Sequence, residues 1–255
     1  MPWIELDGAV NVRDLGSLST DDGHTTLPRR LLRADNLQDL SPADIRMLVD
    51  EIGLTTVVDL RSQVEVESEG PGPLTRVGSV RHVHLSVLPE HGKATDAAAE
   101  ALAVRRDGDR YPADPLCGHY LGYLEDRPEQ VAAALRTVAQ APGAALVHCA
   151  AGKDRTGVVV ALALSVAGVR RETVIADYTA TAERIGAVLR RLRSSKTYAA
   201  DLDTRPDDDH KPRARTMRAL LEQVDARYGG VLGWLSGHGF GPGDVRALRA
   251  KLLAA

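Results

Sequence analysis

Ala144-Ala145-Leu146-Val147-His148-Cys149-Ala150-Ala151-Gly152-Lys153-Asp154-Arg155-Thr156-Gly157 is the stretch from which the rest of this chain can be read. Residues 144–148 are short and apolar, which predicts a buried strand. Residues 156–167 predict a helix, closed by Gly168. Strand, tight loop and helix in that order put Cys149 at the mouth of a helix N-terminus, where unpaired N–H groups and the helix dipole favour negative charge. Such surroundings lower a cysteine pKa from about 8.5 to roughly 3.5–7.5 and so favour the reactive thiolate.

The loop residues complete that chemistry. Ala150, Ala151 and Gly152 are small enough for the backbone to wrap so that successive N–H groups converge on one anion. Arg155, six positions after Cys149, can return over that cradle and offer a planar, two-pronged donor to two oxygens of a phosphate. Thr156 is placed to hydrogen-bond the Cys149 sulfur, and His148 to orient the loop through the backbone. A nucleophile, a cradle for an anion and a nearby carboxylic acid are what phosphate monoester hydrolysis requires.

Working outward, Ser41-Pro42-Ala43-Asp44 predicts a helix start with Ser41 as N-cap, and Gly53 its end. Residues 54–60 form a second apolar, β-branched run and residues 80–87 a third strand candidate. A helix is expected from about Asp126 to Gln140, broken by Pro142-Gly143. Alternating helices and strands up to Cys149 argue for an α/β domain with a mostly parallel sheet flanked by helices. Beyond residue 170 the strand signal stops. Helix is expected over 172–192, a polar and mobile loop over 201–213, and helices over 216–228 and 243–253 with a short helical piece between. No linker divides the 255 residues, so one domain spanning 1–255 is expected.

Cys-x5-Arg followed by Thr-Gly, between a strand and a helix, resembles the cysteine-dependent protein tyrosine phosphatase superfamily. The fuller loop resembles its bacterial tyrosine/serine and phosphoinositide phosphatase branch. Asn11-Val12-Arg13-Asp14-Leu15-Gly16 is similar to that branch's N-terminal box, with Val where the branch has Phe. Arg33-Ala34-Asp35, Val57-Val58-Asp59-Leu60-Arg61-Ser62 and Asp177-Tyr178 are similar to further boxes, so the resemblance covers nearly the whole chain. It implies a tyrosine phosphatase-like fold, a phosphocysteine intermediate on Cys149 and phosphate binding by the loop from Ala150 to Thr156. It also implies a paired-helix lid over the site, corresponding here to about 181–217. The substrates implied are phosphotyrosine, with phosphoserine or phosphothreonine, in proteins; the alternatives are a phosphoinositide, which Lys153 would suit, and an inactive phosphate-binding module.

The proton donor is open at this stage. No Trp-Pro-Asp occurs, so a separate acid loop of that form is missing. Asp154 lies inside the loop and is the residue the resembled branch uses. Asp59, at a strand end, and Asp114, in Tyr111-Pro112-Ala113-Asp114-Pro115, are the competitors. For these two the plain accounts are a salt bridge at the strand end and a turn between prolines.

Composition narrows the setting. A net charge of −3 with 44% hydrophobic and 26% charged residues gives no reason to expect nucleic acid as a partner. Residues 158–169, the most apolar run, are too short to span a bilayer. Cys117 and Cys149 are too few for a disulfide framework, and the N-terminus has no signal-peptide pattern, so a cytoplasmic setting is expected, with signal-less export the alternative. His82 and His84 share one side of a strand but lack a third ligand, so neither metal nor cofactor is expected. Cys117 reads as a small buried residue, or else as a redox partner of Cys149. The basic run from Arg190 to Lys196 reads as a solvated helix end rather than a phosphoinositide contact. Nothing in the sequence sets an oligomeric state.

Overall fold

A computed structural model describes residues 3–88, 114–202 and 206–254. Its sheet has the order β1-β2-β5-β3-β4, formed by β1 (Arg13–Asp14), β2 (Leu31–Ala34), β3 (Leu54–Asp59), β4 (Arg81–His84) and β5 (Ala144–His148). Only β1 runs antiparallel to its neighbour. The two apolar runs at 54–59 and 144–148 lie side by side at the centre. Being covered on both faces, they need no polar alternation. Leu146 and Val57 bury into one cluster with Leu32 and Leu48. Ala145, Val147 and Val58 bury into the larger cluster on the opposite face.

The smaller face is covered by α1 (Pro42–Arg46), continued by a π-helical turn over Met47–Glu51. Ser41 caps α1 as expected: its Oγ accepts from the Asp44 N–H at 3.1 Å while Asp44 accepts from the Ser41 N–H at 2.9 Å. Gly53 follows with φ +81°, a conformation that suits glycine. The larger face is covered by α3 (Pro115–Asp126), α4 (Pro128–Gln140), α5 (Asp154–Val166), α6 (Arg171–Ala180), α9 (Ala214–Tyr228), α10 (Val231–Gly237) and α11 (Pro242–Leu252). Helix α5 is buried along almost its whole length, so its N-terminus is fixed from all sides.

Three expectations are revised. The strand expected over 80–87 is only Arg81–His84; Val87 and Leu88 leave the sheet edge and bury in the larger cluster. The helix expected over 172–192 is broken: α6 ends at Ala180, a 3-10 turn spans Thr181–Glu183, and α7 runs Ile185–Arg193. The break falls where Arg13 donates to the Asp177 carbonyl at 2.7 Å and to Thr181 Oγ1 at 3.2 Å, drawing on the carbonyl that a continuing helix would engage. The polar stretch expected as a loop holds α8 (Ala199–Leu202) and a 3-10 turn at Asp207–His210.

All four parallel strands point their C-terminal ends to the same edge, with Ala34 and Asp59 both in register with His148. That edge is where open parallel sheets place their sites, and the chain enters the Cys149 loop there. Between β3 and β4 at the same edge lies α2 (Gln63–Glu69), capped by Ser62.

Candidate active site

The Cys149 loop is held by its carbonyl oxygens. Cys149 O lies 3.2 Å from His148 Nδ1, Ala150 O accepts from the Asn36 N–H at 2.9 Å, Ala151 O from Asn11 Nδ2 at 2.9 Å, and Gly152 O from Arg33 Nη2 at 2.5 Å. With the carbonyls tied outward, the amides of Ala150 to Asp154 donate to nothing among the described residues. Five unpaired N–H groups on one tight loop make an anion-binding concavity. Gly152 is required for that shape. Its φ is +65°, and a Cβ there would meet Ala34 O at 2.3 Å.

Behind the loop lies a buried ionic frame. Asp177 accepts from Arg13 Nε at 2.8 Å and from Arg33 Nη1 at 2.5 Å, and Arg13 Nη1 donates to Asn11 Oδ1 at 2.6 Å. Burial, then the neighbouring Arg33, lowers Arg13 to about 10 against the pull of Asp177. Burial alone would raise the Asp177 carboxyl; Arg33 and Arg13 instead hold it below the usual carboxylate range. The Asn11, Arg13, Arg33 and Asp177 boxes noted in the sequence thus converge on one structure, the mount of the loop. Asp35 joins it by accepting from the Val10 and Asn11 N–H groups at 3.0 and 2.9 Å and from Arg191 of α7.

Arg155 is fully buried and held by Glu65, with Nη1–Oε2 at 2.5 Å and Nη2–Oε1 at 2.9 Å. Glu65 also accepts from the Ser62 N–H at 2.6 Å, closing the cap of α2. One carboxylate therefore starts a helix and aims the arginine. Sequence reading missed Glu65, although Ser62-x-x-Glu65 is a capping-box signature.

Asp154 begins α5 with its side chain buried. Its Oδ1 accepts from the Tyr120 hydroxyl at 2.5 Å and lies 3.4 Å from Lys153 Nζ, which donates to the His210 carbonyl at 2.9 Å. Tyr120, on α3, was not anticipated as part of the site.

The other candidates sit as follows. Asp59 is occupied by Arg61, through Oδ2–Nη2 at 2.6 Å and the Arg61 N–H at 3.0 Å. Burial alone would raise its carboxyl; His148 and the Arg61 guanidinium pull it well below the usual range. Because burial lowers His148 to about 4, Arg61 is the partner that counts at neutral pH. The ion pair offered as the plain account of Asp59 is the one found. Asp114 accepts from Thr216 Oγ1 at 2.7 Å and lies 3.5 Å from Arg215 Nε, so its carboxylate ties α3 to α9; Tyr111 to Ala113 of its proline-bounded segment lie outside the described residues.

Thr156 departs from expectation. Its Oγ1 is buried and has no hydrogen-bond partner among the described residues, so the contact expected with the Cys149 sulfur is not made. The hydroxyl is carried into the first turn of α5 by a helix that starts at Asp154, two residues earlier than the sequence suggested.

Cys117 is buried in the larger cluster, and burial pushes its thiol up to about 12, as befits a small core residue. His84 Nε2 donates to the Arg61 carbonyl at 2.7 Å; among the described residues no group of three metal-ligating side chains converges. No described helix is long and apolar enough to cross a membrane. The basic helix end is less solvated than expected: Arg191 reaches Asp35 and Asp39, and Arg193 reaches Asp207 at 2.6 Å. Above the loop, Ile185, Val188 and Leu189 of α7 share a buried cluster with Ala150, Tyr198 and Leu202, and Ala151 packs against it.

Residues 4–254 match the tyrosine phosphatase family. The chain is 30% identical to the triple specificity protein phosphatase PtpB of Mycobacterium tuberculosis over 279 aligned positions, which cover 98% of each chain. It is 27% identical to a tyrosine-protein phosphatase of Nostoc commune, over 87% of this chain and 73% of that one. Among solved structures, P. aeruginosa TpbA aligns over 81% of this chain and 96% of its own, with 15% identity and a TM-score of 0.31.

Proposed function

The chain belongs to the tyrosine phosphatase family, and we propose that it cleaves phosphotyrosine in proteins by covalent catalysis on Cys149. The observation that carries this reading is the cradle of amides without acceptors between Cys149 and the Glu65-held Arg155. The Cys149 thiolate attacks phosphorus, an S–P bond forms, and the P–O bond to the leaving group breaks. The electron pair goes to the leaving oxygen, which takes a proton from Asp154. A water oxygen then attacks phosphorus, the S–P pair returns to sulfur, and the Asp154 carboxylate accepts the water's proton. Arg155 and the amides from Ala150 to Asp154 stabilise the equatorial oxygens, whose charge grows in the transition state. Thr156 Oγ1, buried without a partner, is available to donate to the thiolate as it is regenerated. Among the three carboxylates, Asp154 is favoured as acid because it lies within the loop and keeps Oδ2 without a partner among the described residues, whereas Asp59 is bound by Arg61 and Asp114 by Thr216.

Residues 181–217 act as the cover of the site in this reading, which is supported by the buried cluster that α7 shares with Ala150. A phosphoinositide is the second substrate class, supported by Lys153 beside Asp154 and by the relative named as triple specific.

Rapid-mixing kinetics on p-nitrophenyl phosphate test the proposal. The parent should give a burst matching one phosphocysteine per chain, and Cys149→Ser should lose both burst and turnover. Turnover by Cys149→Ser at the parental rate would overturn the mechanism. Parallel assays with phosphotyrosine peptides and phosphoinositide vesicles assign the substrate class.

A further inference from the structure

Asp154 presents two unlike oxygens. Oδ1 accepts from Tyr120 OH and faces Lys153 Nζ, whereas Oδ2 has no partner among the described residues. Tyr120 OH is in turn 2.8 Å from Tyr178 OH, and the two rings meet edge to face with centroids 6.2 Å apart. Tyr178 can stand there because residue 157 is glycine; a Cβ at that position would come within 2.9 Å of the Tyr178 ring. Tyr120 is stacked on Tyr123 from behind, with centroids 5.8 Å apart. Both tyrosines are buried.

We propose that Tyr120, backed by Tyr178, is the positioning residue of the proton donor: its hydroxyl pins Asp154 Oδ1 and leaves Oδ2 as the oxygen that carries and delivers the proton. The inference rests on reading Asp154 as the acid. A hydrogen bond to Oδ1 that persists in both protonation states fixes the carboxyl plane, so Oδ2 keeps one direction through the acid step and the base step. Tyr120 transfers no proton itself. Burial, then the Asp154 charge, holds its hydroxyl well above the usual phenol value, so it stays a donor. The charged groups around the trio are Lys153 against Asp154, and Asp114 and Arg33 in the field of Tyr178.

A hydrogen bond donated to a carboxyl favours its ionised form, and that rule gives the test a sign. An acid must hold its proton when substrate arrives, so kcat/KM falls as pH rises through its pKa. Removing the Tyr120 donor should move that basic limb upward. For Tyr120→Phe that displacement should come with roughly tenfold slower turnover of aryl phosphates that have poor leaving groups and little change for good ones. Tyr178→Phe, which removes the hydroxyl bonded to Tyr120, should shift the limb the same way by less, and it serves if Tyr120→Phe does not fold. Asp154→Asn should abolish the limb and slow poor leaving groups roughly a hundredfold. If Asp154→Asn behaves so while both Phe variants keep the parental limb, or lose activity equally for all leaving groups, the positioning role is overturned. If Asp154→Asn itself keeps the parental limb and leaving-group dependence, the reading of Asp154 as the acid falls first.

Discussion

The Cys149 loop has two sides built on opposite rules. On its rear side the carbonyls from Cys149 to Gly152 are each tied, and the guanidinium groups of Arg13 and Arg33 share the Asp177 carboxylate. On its front side five amides and the Thr156 hydroxyl have no partner among the described residues. Buried polar groups normally find partners, and each one left alone costs about 1–3 kcal/mol. The rear therefore stabilises a shape whose front is costly. The front is where binding a phosphate would recover that cost, so stability and chemistry are divided between the two surfaces of one loop.

The largest effect that can test this division is on the rear. Asp177→Asn leaves two buried guanidinium groups without a counter-charge and should cost about 3–5 kcal/mol in urea unfolding at neutral pH. A loss below about 1 kcal/mol would mean that the frame is not what holds the loop. Next comes acid. Burial lowers His148 to about 4 from its ordinary 6.5, so the unfolded chain takes up a proton that the folded chain refuses. Its contribution is full above about pH 6.5 and is lost as pH falls towards 4, a decline of about 3 kcal/mol. Asp59, held low by His148 and Arg61 against its burial, adds its own loss only at more acid pH. Unfolding measured from pH 7 to 4.5 should show the first decline, and His148→Asn should flatten it. The smallest effect is on the front and has the opposite sign. Thr156→Val removes a buried hydroxyl without a partner, so stability should hold or rise by up to about 1 kcal/mol while phosphocysteine hydrolysis slows. A fall in melting temperature would give Thr156 to the rear and break the comparison.

The front was far more legible in the sequence than the rear. Cys149, the small residues after it and Arg155 announce a thiolate and an anion cradle by type and spacing alone. The two central strands were legible because a strand buried on both faces is an uninterrupted apolar run, and the start of α1 because Ser41, Pro42 and Asp44 each have a fixed place in a helix start. What holds the loop was not legible in the same way. Arg13, Arg33 and Asp177 stood out only as separate boxes, because no local rule joins residues more than a hundred positions apart. Glu65 had a local signal, its capping box, but its second duty towards Arg155 exists only after β3 and β5 pair. Tyr120 had none: α3 carries Gly118 and Gly122, which weaken the helical pattern, and its hydroxyl meets Asp154 only in the tertiary fold. The break between α6 and α7 was hidden for the same reason, since it follows from Arg13 reaching in from the far N-terminus.

The frame behind the loop also has an order in time. Asn11, Arg13 and Arg33 leave the ribosome well before Cys149, but Asp177 and the apolar residues of α7 leave after it. While synthesis has passed the nucleophile and has not reached Asp177, the two arginines lack their common counter-charge and the loop lacks its mount. Converged amides favour a thiolate over the thiol, and the frame that holds them around Cys149 is complete only once Asp177 has been added. The counter-charge that completes the mount therefore stands later in the chain than the loop it holds.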